Sequence, residues 1–529
     1  MLFTSYTFVT FMAAVLLGYY VLPKKWQWPL LLVASYIFYW CADAMYLLFI
    51  GVTTVSTYLV SIWLDKVNST QKAYLKEHKA ELDKEAKKAY KGKMKKKKWH
   101  ILLLCLLFNL GILSVTKYTN FVITNINNFL SGDGLSLVDM IVPMGISFYT
   151  FQSMGYIIDV YRDKQPVQRN PFKLALFVSF FPQLVQGPIS RFGDMSKTLF
   201  EPHSFDRKTV SYGVMRILWG YFKKVVVADR LINAVKILIG VNAAEQYTGA
   251  YVLVAMLFYA FQLYCDFTGG IDITIGIAQT MGIKLAENFN LPYFSKNIKE
   301  YWNRWHITMG TWFTDYIFYP ISVCKPMLKL SKWSREHLGQ AVGKRVTVYL
   351  SSFVVWLTTG IWHGAAWNFI VWGLMNWVVI MVSQELEPLY EKFHNKFHLK
   401  GKGFYTVFEI IRTILLMSAI RMFDCYRDVP LTFKMVGSMF TKFNPSIFWN
   451  GSLMQLGLSG AEYILLGVCL LVVLGVSLYK YHKGSIRDAL YQKPAPVFYG
   501  AMLLLLCTIL VFGAYGIGFD SSQFIYNQF

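Results

Sequence analysis

The sequence predicts an all-α polytopic membrane protein with about ten to twelve transmembrane helices. Three observations predict it. Only 16% of the 529 residues are charged, against about 25% in an average soluble protein. Residues 1–23, 26–42, 44–64, 101–116, 140–158, 174–190, 246–265, 463–479 and 494–519 contain no Asp, Glu, Lys or Arg, and a span needs roughly 20 apolar residues, sometimes 17. Within residues 346–384 the one side chain titrating near neutral pH is His363. The apolar runs are continuous rather than alternating, which argues against a transmembrane barrel. Their number excludes a soluble enzyme, a secreted disulfide scaffold and a disordered chain.

Residues 1–135 read as an N-terminal helical bundle in which 5–21, 26–42 and 45–64 are three successive crossings. A lysine-rich loop over 65–100 follows, and residues 65–99 of it hold 13 Lys against 5 acids, or +8 of the net +22. Positive loops stay in the cytoplasm, so this loop, with Lys24 and Lys25, is placed inside and the N-terminus outside. With little aromatic interleaving, the loop reads as a solvated or lipid-facing surface rather than a nucleic-acid site. Charge follows the first apolar run instead of preceding it, unlike a signal peptide, so the first helix is expected to be kept. The 7 cysteines are scattered, lack metal-ligand spacing and imply no disulfide framework.

Residues 136–385 read as the part that builds a cavity inside the bilayer, because they violate ordinary span patterning. Residues 148–162 (FYTFQSMGYIIDVYR) embed Gln152 and Asp159 among aromatics; 180–191 (FFPQLVQGPISR) carry two prolines; 262–282 carry Asp266, Asp272 and a Gly-Gly pair. Broken helices at membrane depth need protein or a water-filled cavity to cover their free backbone groups, and intramembrane acids usually face such a cavity. The other reading, equally weighted for Asp159, Asp229 and Asp272, is salt-bridged structural acids. Residues 386–529 begin with a basic stretch and supply about three further helices. The three parts are expected to form a single integral membrane unit.

Two of the 9 histidines stand out. His363 lies in TTGIWHGAAW, near the middle of the uncharged run 346–384. One straight helix of that length would measure about 58 Å, against a hydrocarbon core of about 30 Å. The run must break, and Gly360 and Gly364 flank the natural place. Either the turn lies at an interface, where a backbone carbonyl satisfies the ring, or a helix breaks within the membrane and presents an imidazole to a cavity. A neutral imidazole suits general-base work. His306 lies in YWNRWHITMGTWFTDY (301–316), which reads as an amphipathic interfacial helix. It is either an aromatic anchor alone or the rim of a funnel admitting a polar substrate. Trp302, Asn303, Arg304, Trp305, Trp362 and Asp315 are the accompanying substrate-tunnel candidates.

Two histidines without a third ligand do not make a zinc site, and no metal is expected. No G-x-S-x-G, Walker or G-x-G-x-x-G motif occurs, so neither ATP nor a nicotinamide cofactor is implied. A base and an activated substrate brought from elsewhere suffice for acyl transfer from a thioester to a hydroxyl.

At these residues the chain resembles a known family. ENFNLPYFSKNIKEYWNRWHITMGTWFTDYIFYP (287–320), followed by GIWHGAAWNFIVWG (360–373), resembles the membrane-bound O-acyltransferases. The opening MLFTSYTFVTF and the segment FFPQLVQGPISR are similar to the bacterial alginate O-acetyltransferase branch. The resemblance implies a ring of helices, with re-entrant and interfacial ones, around a through-membrane tunnel. It implies that His363 is the essential catalytic histidine and His306 a second, less uniformly required one. It further implies a cytoplasmic thioester donor, coenzyme A or a carrier protein, and no bound cofactor. The acceptor would be a hydroxyl on an exported polysaccharide, in a bacterial plasma membrane, with a secreted or membrane-anchored partner completing the transfer.

A sister branch that moves D-alanine toward teichoic acid also resembles the chain around residues 302–306, although the GIWHGAAWNF wording is closer to the acetylating branch. From another class, a non-catalytic acyl or lipid transporter would also use broken helices. Arg421, Asp424 and Arg427, at the end of an apolar segment, depart from the family pattern.

Overall fold

The computed structural model describes residues 3–130, 134–240 and 242–515. These are helical apart from turns, connections and an isolated antiparallel bridge between Phe289 and Trp305. Seven described helices are long and apolar enough to cross a membrane: Tyr46–Glu77, Lys84–Leu130, Ala250–Thr280, Trp367–Glu385, Gly403–Tyr426, Gly460–Lys483 and Ala495–Phe512. Tyr6–Val21 is a shorter apolar helix. The chain is a multi-pass membrane protein. Other charge-free runs form shorter helices because proline and glycine interrupt them. Residues 174–190 give Pro171–Ser179 and Phe181–Gln186, and 140–158 give Ile146–Tyr161, which starts after Gly145 at φ +73°.

The chain divides into two compact units, Met1–Val210 with Ala278–Ala286, and Ser211–Ile277 with Glu287–Phe529. In the first, Gln27 acts as a clamp: its Nε2 donates to the carbonyls of Tyr19 (3.1 Å) and His203 (2.8 Å), and its Oε1 accepts from the His203 N–H (2.8 Å). The broken stretch around Pro182 is wholly buried in protein, as its free backbone groups require. Gln183 closes part of that gap by donating to the Phe177 carbonyl at 3.0 Å.

The lysine-rich residues 65–100, expected as a loop, are a helical hairpin. They continue Tyr46–Glu77 and open Lys84–Leu130, with the chain reversing between. Lysine is a good helix former, and a helix of 47 residues measures about 70 Å, more than twice the hydrocarbon thickness. Lys98 ties this arm down by donating to Asn68 Oδ1 at 2.7 Å.

In the second unit, the helix Arg207–Tyr221, from Ser211 on, lies against Ala250–Thr280 at glycines. A Cβ on Gly220 would stand 2.6 Å from the Gly269 carbonyl oxygen, and one on Gly276 would stand 2.9 Å from that of Gly213. The wider π-helical turn Phe222–Ala228 follows and buries the adjacent Lys223 and Lys224 together.

Asp229, Asp266 and Asp272 are ion-paired, which favours their structural reading. Lys224 Nζ sits 2.7 Å from Asp229 and 2.6 Å from Asp266. Lys223 Nζ donates to Asp272 at 2.7 Å and to Thr268 Oγ1 at 2.8 Å. Arg216 Nε donates to Asp272 at 2.8 Å, while its two Nη atoms hold Glu287 bidentately at 2.7 and 2.6 Å. Burial opposes the charge on Arg216, but Asp272 and Glu287 outweigh it and push its pKa up.

Candidate active site

The uncharged run 346–384 breaks at the histidine. Helix Gln340–His363 ends on His363, Gly364 is extended, and Trp367–Glu385 begins after Ala366. The reversal is tight because its glycines leave room for the returning helix. A Cβ on Gly360 would lie 2.6 Å from the Phe369 carbonyl oxygen, and one on Gly373 would lie 3.1 Å from Gly360 Cα. A side chain on Gly364 would run into the Phe369 ring. The break leaves the His363 imidazole 7% exposed. It is edge-on to Trp362 at 4.9 Å and to Trp372 at 4.6 Å between centroids.

Residues 301–316, expected as one amphipathic interfacial helix, are broken at the second histidine. Helix Ile298–Arg304 ends, Trp305 is extended, His306 takes a left-handed conformation at φ +49°, and Ile307–Phe313 follows. A short antiparallel contact imposes the break: Asn290 N–H donates to the Arg304 carbonyl and Ile307 N–H to the Asn288 carbonyl, each at 3.0 Å. Tyr301, Trp305 and Trp312 are buried rather than arrayed as headgroup anchors. A non-glycine residue in this region costs of order 1–3 kcal/mol, which the surrounding structure must offset.

His306 is 1% exposed, and its protonation pattern follows from its neighbour. Asn288 Oδ1 accepts from the Thr308 N–H at 3.0 Å and the Thr308 hydroxyl at 2.9 Å. A backbone N–H can only donate, so the amide oxygen must face it. The same oxygen lies 3.2 Å from His306 Nδ1. Nδ1 therefore carries the proton, and the neutral ring has its lone pair on Nε2. Phe267 packs edge-on against this ring at 5.0 Å.

Trp362 links the two histidines: its ring lies 6.0 Å from that of His306 and 4.9 Å from that of His363. Beside them Arg421 is enclosed by aromatic faces, its guanidinium carbon 5.6 Å from the Trp302 ring, 5.1 Å from Trp305 and 4.9 Å from Trp372. Its Nη1 donates to Asp424 at 3.2 Å. Trp302 Nε1 donates to Asn376 at 3.2 Å, and Asn376 in turn donates to the Trp372 carbonyl at 2.8 Å.

Trp302, Asn303, Trp305 and Asp315 all line one cavity of about 430 Å³, which also reaches Thr359, one helical turn before His363. The lining includes Trp305 and Ile307, the chain neighbours of His306, and neither imidazole. Arg304 points elsewhere, holding Glu300 at 2.6 Å. The sequence reading missed Asn288, although it lies within the quoted ENFN motif, and noted Arg421 and Asp424 without joining them to the histidines. A buried charged pair within an apolar segment was the available signal.

Comparison with known proteins finds a family and relatives over most of the chain. The model of the MBOAT, membrane-bound O-acyltransferase, family matches residues 162–425, which include both histidines and Arg421. The chain is 35% identical to the probable alginate O-acetylase AlgI of Pseudomonas syringae pv. tomato over 72% of its own length and 66% of the relative's. The chain thus spans just under two thirds of that relative. It is 34% identical to the probable alginate O-acetylase AlgI of Pseudomonas putida, covering 74% of this chain and 73% of the relative. It is 31% identical to the peptidoglycan O-acetyltransferase of Helicobacter pylori, covering 74% and 72%.

Proposed function

Because this chain belongs to the membrane-bound O-acyltransferase family, we propose that it is an O-acyltransferase that moves an acetyl group from a cytoplasmic thioester toward a hydroxyl of an exported polysaccharide. The observation that carries this reading is the junction at Trp362, which brings the imidazoles of His306 and His363 to one aromatic ring beside a cavity. In this reading His363 Nδ1 or Nε2 takes the proton of the acceptor hydroxyl. The oxygen attacks the thioester carbonyl, the carbon–sulfur bond breaks, and the imidazolium returns its proton to the departing thiolate. His306, held by Asn288 with its lone pair on Nε2, orients a reactant or shares the proton. No bound cofactor is required.

Acetyl is favoured because the three relatives above carry O-acetylase or O-acetyltransferase names. The donor is coenzyme A or a carrier protein, and a secreted or membrane-anchored partner completes the transfer. In this reading residues 65–100 lie in the cytoplasm and the N-terminus outside a bacterial plasma membrane, which the excess of lysine over acid in the hairpin supports. The test is to supply purified protein with labelled acetyl-CoA, acetyl-carrier protein or D-alanyl-carrier protein and follow label to glycan. Label moving only from the D-alanyl donor would replace acetyl transfer with D-alanylation. No turnover of any thioester would favour a transporter.

A further inference from the structure

The second unit has another cavity, built unlike the one beside the histidines. It measures about 1070 Å³ and runs between the helices Gly460–Lys483 and Ala495–Phe512. Its walls are aliphatic, with Ile464, Val468, Val472 and Leu504 among them, and these four are exposed. One end is charged by Arg216, Lys480 and Arg487 together with Asp272 and Glu287. Three cations against two carboxylates leave this mouth positive. The carboxylates are already engaged by Arg216 and Lys223. Lys480, in contrast, has no ion-pair partner among the described residues.

The positions along the helix match the depth of a lipid. Lys480 ends the membrane helix Gly460–Lys483, and Arg487 lies in the short helix Ile486–Tyr491 just beyond. The connection between the two membrane helices also contains Lys483 and Lys493, with Asp488 as its one acid, so it belongs on the cytoplasmic side. From Lys480 back to Val468 the helix covers about 18 Å, roughly one leaflet of a 30 Å core. A ligand filling this groove must be a long aliphatic body with an anionic end at the cytoplasmic surface.

We propose that this groove is a binding site for an anionic phospholipid of the inner leaflet. Its phosphate lies between Lys480 and Arg487, and an acyl chain lies against Val468, Val472 and Leu504. The charge selects the headgroup, and the groove distinguishes a bound lipid from the surrounding bilayer. This site is independent of the acyl-transfer reading, because its ligand is not a reactant.

The test uses the full chain in phosphatidylcholine vesicles containing a trace of phosphatidylglycerol with a photoactivatable diazirine on one acyl chain. Cross-links are expected to concentrate on peptides within 461–476 and 501–512. A phosphatidylcholine probe with the same chain should label these peptides far less. Replacing Lys480→Gln and Arg487→Gln together should lower phosphatidylglycerol labelling by about 30-fold, since each basic residue near the surface contributes about a factor of five. Val468→Trp keeps every charge but fills the groove, and it should lower labelling as well. It is the control should the double variant fold poorly. Equal labelling by the two headgroups, labelling spread evenly over all helices, or full labelling of a folded Val468→Trp protein would each overturn the site. So would labelling that appears only after residues 516–529 are deleted, which would make that segment the occupant.

Discussion

Asn288 decides which nitrogen of His306 carries the proton: its amide oxygen is fixed by the Thr308 N–H and lies 3.2 Å from Nδ1. Replacing it should therefore disturb the imidazole without removing it. Asn288→Ala is expected to lower turnover by about 10- to 100-fold, the cost seen when a metal-bound histidine loses the partner that orients it. Asn288→Asp keeps the acceptor oxygen and should retain more activity. Measuring kcat for both variants against melting temperature separates orientation from stability. Equal loss in the two would contradict the tautomer assignment.

His363→Ala should abolish acyl transfer while the protein still inserts and folds. A general base contributes about 10²–10⁴-fold. Turnover of labelled thioester by the purified variant checks this, and near wild-type transfer would remove His363 from the mechanism. His306→Ala should cost less, and a change below about tenfold would leave it only a packing role.

Gly360 and Gly373 let two helices touch, so Gly360→Ala should drive a methyl into the Phe369 carbonyl. Overpacking of this kind costs about 1–3 kcal/mol. A lower melting temperature in detergent is expected for Gly360→Ala. Gly437→Ala, at a site with nothing within 4 Å of the added carbon, should melt as the parent does.

Lys224→Met would leave Asp229 and Asp266 without the ammonium between them. Removing one member of a buried ion pair costs about 3–5 kcal/mol. The yield of folded protein should fall sharply. Adding Asp229→Asn and Asp266→Asn should recover most of it. If the triple variant remained as poor as the single one, packing rather than charge would be the cause.

Arg421 meets three tryptophan faces, a geometry that suits a planar guanidinium and not a compact ammonium. Arg421→Lys should therefore impair acyl transfer nearly as much as Arg421→Met, despite keeping the charge. Activity and melting temperature measured together check this. Full activity in the lysine variant would reduce Arg421 to an electrostatic part.

Much of this was legible in the sequence, for identifiable reasons. A charge-free run of 39 residues is too long for one crossing, so the break near His363 followed from length alone, and Gly360 and Gly364 located it. The course of residues 301–316 was not legible. Aromatic and polar residues at mixed spacing suggested one amphipathic helix, whereas the pairing of 288–290 with 304–307 forces His306 into a left-handed conformation. That pairing joins segments with no periodicity of their own. The lysine-rich hairpin was misread because a run of like charge signals solvent and says little about whether the backbone is helical. Arg421 was visible as an anomaly, but only folding brings residue 421 beside residues 302, 305 and 372.

The bidentate grip of Arg216 on Glu287 has a mechanical consequence. Glu287 immediately precedes the asparagine that holds His306, and Arg216 sits on a helix 71 positions earlier in the chain. The imidazole is thereby indexed to a distant helix through a single taut segment. A slip of that helix by a fraction of a turn would shift the His306 ring, and with it whatever part the ring takes in the proposed acyl transfer.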